Sequence, residues 1–153
     1  MDTLDRKALH LLMRQGRATW AELGQTLGLS APSAADRVRK LEEAKVITGY
    51  AALLDPTALG YPLTAFIFVT LANSRNRATF LRAIAKMDQV AECHHIAGDD
   101  DYLLKVRCRT TADLDDLLAK QLKGKLGIAR TRTTIVLATA KESVQIPIAE
   151  DET

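Results

Sequence analysis

The chain has 153 residues and a formal net charge of +2, room for one ordinary domain or two small ones. Hydrophobic residues make up 47% and charged residues 26%, a balance that excludes a disordered chain. A charge so near neutrality also excludes nucleic-acid binding by bulk charge, so any such binding needs local clusters of basic residues. No apolar run approaches the ~18 residues of a membrane span. The opening MDTLDRKAL is charged from its second residue and has no signal-peptide core. A cytoplasmic setting without a membrane partner is expected, in which Cys93 and Cys108 are buried thiols rather than a disulfide.

Leu4, Ala8, Leu11 and Leu12 recur at helical spacing, with Asp2 or Thr3 as cap, Asp5 in the first turn and Gly16 as a stop. Thr19 followed three residues later by Glu22 is a capping-box pattern. It opens a short helix whose buried face is Trp20, Leu23 and Leu27. Gly24 sits where a second helix can cross closely, and Gly28 can end the helix in the left-handed conformation. Ser30 caps the next helix, with Pro32 tolerated in its first turn. Ala34, Val38 and Leu41 face inward and leave Ala31, Pro32, Ser33, Asp36, Arg37, Arg39 and Lys40 outside. Two short helices, a tight turn and a basic outer edge make a helix-turn-helix. The expected DNA-facing set is Ser30, Ser33, Asp36, Arg37, Arg39 and Lys40. Small residues at the helix start can enter a major groove. Ser33 can bond a phosphate or a base edge, Arg37 can fork onto a guanine, and Arg39 and Lys40 lie near flanking phosphates. The plainer reading is a solvated face on which Asp36, Glu42 and Glu43 pair with these bases.

Val46–Leu54 reads as a β-ribbon, the wing of a winged helix-turn-helix, and Asp55–Pro56 breaks it. The stretch PTALGYP over 56–62 marks a linker, so the expected domains are 1–55 and 63–153. Beyond the linker, Ala65–Leu71 is a strand apolar on both faces, and Ser74 caps a helix carrying Phe80, Leu81, Ile84 and Met87. Val90–Ala97 and Tyr102–Cys108 form an antiparallel hairpin across the turn at Gly98–Asp101. Thr111 caps a helix with Leu114, Leu117, Leu118 and Leu122, which Gly124 and Gly127 end. Arg130–Thr139 is a fourth strand, Glu142–Ile148 adds a short one, and 150–153 is frayed. The order β-α-β-β-α-β is ferredoxin-like, which makes the whole chain α+β. Two helices cover one face of such a sheet. The other face, apolar here, suits a second copy of the chain.

Together the two halves resemble the Lrp/AsnC family of transcription regulators. The resemblance rests on Leu4–Asp5–Arg6–Lys7, Leu29–Ser30, Arg37–Val38–Arg39–Lys40–Leu41–Glu42, Gly49–Tyr50, Asp55–Pro56, Val90–Ala91–Glu92–Cys93, Gly98–Asp99–Asp100–Asp101–Tyr102 and Thr131–Arg132–Thr133. It implies a sequence-specific DNA-binding regulator that dimerises through its sheets and assembles into an octamer of four dimers. It also implies a small effector, usually an amino acid, bound near the turn Gly98, Asp99, Asp100, Asp101 and Tyr102. An amino acid needs an acceptor for its ammonium, which Asp101 can supply, and donors for its carboxylate, which the amides of a glycine turn can supply. Thr131, Thr133 and Thr134 offer hydroxyls if their strand faces the turn. Alternatively Asp101 shapes the turn and the threonines merely fill strand positions.

Three rival readings carry less. A metal sensor would use Cys93, His94 and His95, but alternation puts only Cys93 and His95 on one face, too few for a tetrahedral site. An enzyme, like the decarboxylases of haem precursors that share this type of fold, would recruit His94 or His95, but no nucleophile–base or carboxylate pair stands out. A third reading is a regulator that acts by assembly without a ligand. The expectation is therefore no catalytic residue, no metal and no cofactor, with operator DNA and an amino-acid effector as partners.

Overall fold

In the computed structural model, residues 1–123 and 126–149 are described. Gly124 and the expected fraying at 150–153 lie outside them. The chain divides into two units, Met1–Leu53 with the chain from Glu142 onward, and Leu54–Lys141.

The first unit holds three helices, α1 (Thr3–Arg14), α2 (Trp20–Leu27) and α3 (Ala31–Glu43). Helix α1 opens on a reciprocal cap. Asp2 accepts the Asp5 amide at 2.8 Å, and Asp5 accepts the Asp2 amide at 2.8 Å. Thr19 and Glu22 do the same for α2. Helix α2 ends at Gly28, whose φ of 67° is left-handed. Ala8, Leu23, Leu27, Ala34 and Val38 close the core between the helices. Trp20, expected on the buried face, is 48% exposed; as the first residue of α2 it lies at the rim. Gly24 is packed where α2 meets the turn: a Cβ there would stand 2.7 Å from the Leu29 carbonyl oxygen and 3.2 Å from the Ala31 nitrogen.

Helix α3 ends in a Schellman arrangement. The Val46 amide donates to the Leu41 carbonyl at 2.9 Å and the Lys45 amide to that of Glu42 at 3.0 Å. This requires Lys45 to adopt φ 58°, where a side chain is strained by about 1–2 kcal/mol. Lys45→Gly is therefore expected to stabilise the first unit by about 1 kcal/mol in chemical denaturation; a neutral or negative change would mean that the Lys45 side chain contributes more than its backbone strain costs.

The ribbon expected over Val46–Leu54 is not a paired strand. A strand needs a neighbour to bond, and among the described residues the sheet consists of four strands, all of the second unit. Tyr50 instead donates its hydroxyl to Glu42 at 2.8 Å. Glu142–Ile148, also expected as a strand, is irregular. It returns to the first unit, where the Gln145 side chain donates to the Met13 carbonyl. The second compact unit thus ends at Lys141.

The second unit is one antiparallel sheet in the order β2-β3-β1-β4, from β1 (Leu63–Leu71), β2 (Val90–His95), β3 (Tyr102–Cys108) and β4 (Ile128–Ile135). Helix α4 (Arg77–Ile84) follows a 3-10 turn over Ser74–Asn76 capped by Asn73, so Ser74 opens the turn rather than the helix. Helix α5 (Thr111–Asp116) is capped by Thr110, one residue before the expected Thr111, and continues as π-helical turns over Leu117–Leu122. Period-two alternation assigns the faces. Ala65, Ile67 and Val69 of β1 with Tyr102, Leu104 and Val106 of β3 are buried beneath Phe80, Ile84, Leu114 and Leu117. Leu81, expected in that core, is more than a third exposed, because it follows Phe80 around α4. Phe66 and Phe68 point to the opposite, uncovered face and are only half-buried.

Candidate nucleic-acid and effector interfaces

Helix α3 exposes Pro32, Ser33, Arg39, Lys40 and Glu43, with Asp36 half-buried among them. Its basic side chains are already engaged. Arg39 pairs with Asp36 and, at 3.3 Å, with Glu43; Lys40 reaches Asp36 at 2.9 Å. Lys40 and then Arg39 hold the Asp36 carboxyl below the usual carboxylate range. These pairs are exposed, so each contributes little to stability and opens readily for a phosphate. Ser30 caps α3 by accepting the Ser33 amide, and the two hydroxyls lie 2.8 Å apart.

Arg37 departs from its expected place on the outer face. Its Nη1 donates to both carboxylate oxygens of Asp2 at 2.7 Å and to Oδ1 of Asp5 at 2.6 Å, and its side chain is 25% exposed. The reason is helical geometry. Position 37 lies three residues after Ala34 and four before Leu41, on the margin of the buried stripe. The guanidinium is held firmly in its charged form by Asp2 and then Asp5.

The turn between β2 and β3 is tied down at its base. Asp101 accepts the Leu71 amide at 2.7 Å, its own amide donates to the Val69 carbonyl at 2.9 Å, and its carbonyl accepts from Ile96 at 3.0 Å. The side chain expected to accept an ammonium is therefore spent on the end of β1. Asp100 is likewise engaged: it accepts from Thr70 at 2.9 Å, Arg130 at 3.2 Å and Arg132 at 3.0 Å. Its own side chain is 3% exposed while those arginines are about 60% exposed, so its partners cover it rather than the core. The Arg132 hydrogen bond, then that of Thr70, keeps its carboxyl below the ordinary range. Arg132 also lies 3.9 Å above the Phe68 ring. Gly98, at φ 151°, and Asp99 remain at an exposed tip.

Tyr102 points inward, its ring 4.8 Å from Phe80 and 5.1 Å from His95, with its hydroxyl buried and unpaired among the described residues. The three threonines do not converge. Thr131 and Thr133 oppose Val69 and Ile67 and share the helix-covered face, whereas Thr134 opposes Phe66 on the other. Thr70, Arg130 and Arg132 are the partners of the turn that sequence reasoning missed. The available signal was the i, i+2 spacing of the two arginines, which places both on one face of β4.

A reading helix and a ferredoxin-like domain on one chain define a DNA-binding transcription regulator, and the comparisons agree. The model of the AsnC-type helix-turn-helix domain matches residues 1–42, and that of the Lrp/AsnC ligand binding domain matches residues 64–146. The chain is 37% identical over 150 residues to the leucine-responsive regulatory protein of Rhizobium meliloti, spanning 97% of this chain and 96% of that one. It is 36% identical to the protein of that name in Escherichia coli, spanning 97% and 92%. Among solved structures, a transcriptional regulator of Neisseria meningitidis in complex with L-Met superposes with a TM-score of 0.92 at 29% identity, covering 96% of each chain. AsnC of Escherichia coli superposes with 0.89 at 31%, covering 96% and 99%. The chain belongs to the Lrp/AsnC family of transcriptional regulators. It is a regulator, not an enzyme. Among the described residues no helix is long and apolar enough to cross a membrane.

Proposed function

We propose that this cytoplasmic regulator reads DNA with Ser33, Asp36, Arg39 and Lys40 of α3, and that an amino acid bound at the tip of the Gly98–Tyr102 turn switches it. The observation that carries the effector reading is the bracing of the turn. Asp100 and Asp101 are consumed at its base, which holds Gly98 and Asp99 out as a fixed rim. A rim set in advance loses little conformational freedom on binding. The exposed Asp99 carboxylate can accept the ammonium, and Arg130 and Arg132, bearing two positive charges against the one negative charge of Asp100, favour the ligand carboxylate. The regulator of Neisseria meningitidis solved with L-Met supports an amino acid as the ligand class. The uncovered face with Phe66, Phe68 and Leu103 takes a second copy, and dimers assemble further into an octamer of four. The effector acts by favouring one arrangement of reading helices over another, which requires unequal affinity for the two.

Thermal-shift measurement against each of the twenty amino acids tests this. One or a few should raise the melting temperature, and the same ones should alter DNA binding. Asp101→Ala should abolish that shift by freeing the Leu71 amide, while light scattering still finds dimers. A shift retained in the variant removes the turn as the site; no shift with any amino acid removes the effector class.

A further inference from the structure

We infer that Arg37 is a positioning residue: it sets the pose of the reading helix by clamping α3 to the capping box of α1, and it does not read a base. The inference rests on the proposed reading role of α3, but concerns a contact on the far side of that helix.

The acceptors of Arg37 are fixed before it arrives. Asp5 gives Oδ2 to the Asp2 amide and keeps Oδ1 for Arg37. Asp2 accepts the Asp5 amide and presents both its oxygens to the guanidinium. Two carboxylates locked to the first turn of α1 therefore locate one guanidinium on the second turn of α3. Ala8, Ala34 and Val38 beneath them are small and buried. These small side chains bury little area between α1 and α3, whereas short charge-assisted hydrogen bonds are directional. The clamp adds a directional contact to that small apolar one.

Charge decides against release onto DNA. Two carboxylates face one guanidinium, so the cluster carries about one negative charge when intact. Withdrawing Arg37 to a base would leave two carboxylates uncompensated beside the phosphates, Asp5 with only 15% of its side chain exposed. Arg39 and Lys40, on exposed pairs, are released at far lower cost. The orientation of the reading helix thus depends on the second residue of the chain.

The test uses a duplex selected from a random pool by the wild-type protein and an unrelated duplex of equal length. Asparagine at positions 2 and 5 keeps the capping geometry, since Asn caps as well as Asp, but removes the charge. Arg37→Ala, and separately Asp2→Asn with Asp5→Asn, should each weaken binding of the selected duplex about tenfold, the scale of one charge-assisted hydrogen bond. Binding of the unrelated duplex should stay within about twofold, and the salt slope should not change, because no phosphate contact is lost. Combining all three substitutions should be no worse than either set. Arg37→Lys should recover part of the loss. Circular dichroism at the assay temperature establishes that each variant is folded; if Arg37→Ala is not, Arg37→Lys and the single Asp2→Asn decide, and both should lose selectivity. The clamp is overturned if the asparagine pair leaves selected binding unchanged or tighter, if Arg37→Ala lowers the salt slope by about one, or if the losses add.

Discussion

Replacing Gly24 with alanine is expected to dislodge the turn between α2 and α3 and to abolish sequence-selective DNA binding. Alanine normally stabilises a helix interior by about 1 kcal/mol relative to glycine. Here the new methyl would meet the Leu29 carbonyl at 2.7 Å and the Ala31 nitrogen at 3.2 Å. Both are backbone atoms, so no flexible side chain can yield. The Leu29 amide is itself bonded to the Gly24 carbonyl at 2.8 Å, and relief must therefore move α2 or the Ser30 cap. Overpacking of this kind costs about 1–3 kcal/mol, which outweighs the propensity gain and is a large share of a small unit's stability. Chemical denaturation and gel-shift affinity measure the two consequences. A variant as stable as wild type with unchanged DNA affinity would mean that α2 and α3 are not held in this close approach.

Phe80→Ala is expected to cost about 3–5 kcal/mol, the range for a large buried aromatic. Phe80 is fully buried on α4, tilted against Tyr102 at 4.8 Å. Its loss leaves a cavity between α4 and the first residue of β3, which is also the last residue of the proposed effector turn. Hydrogen exchange should show lost protection in α4 and β3 while α1–α3 retain theirs, since the two units have separate cores. The amino-acid thermal shift should vanish. Equal loss of protection in α1–α3 would mean that the units unfold together.

Much of this architecture is readable from the sequence because the determinants are local. The caps at Asp2, Thr19 and Ser30, the left-handed Gly28 and the alternation along Ala65–Val69 each depend on residues within a few positions. At Gly24 the sequence suggests a close approach by a second helix, and the close neighbour is instead the backbone of Leu29–Ala31 that leads into α3. Legibility fails where a residue finds its partner across the chain. Arg37 pairs with residues more than thirty positions earlier, and Asp100 with Thr70, Arg130 and Arg132 at comparable distances. A local reading counts such side chains as free charges. The ribbon at Val46–Leu54 fails for the same reason: strand propensity is local, but a strand exists only beside a partner.

The position of Lys141 has a topological consequence. Because the chain leaves the DNA-reading unit near Leu53 and rejoins it at Glu142, the ferredoxin-like domain is an insert within the reader. Inside the insert, the first and last strands run side by side: Ala65 opposes Ile135, and the Val136 amide donates to the Thr64 carbonyl at 2.9 Å. Inserts with adjoining ends can be exchanged without parting the host. Residues 64–136 therefore form a cassette with adjoining ends, and a different sensing module with equally close termini can be spliced in at Thr64 and Val136.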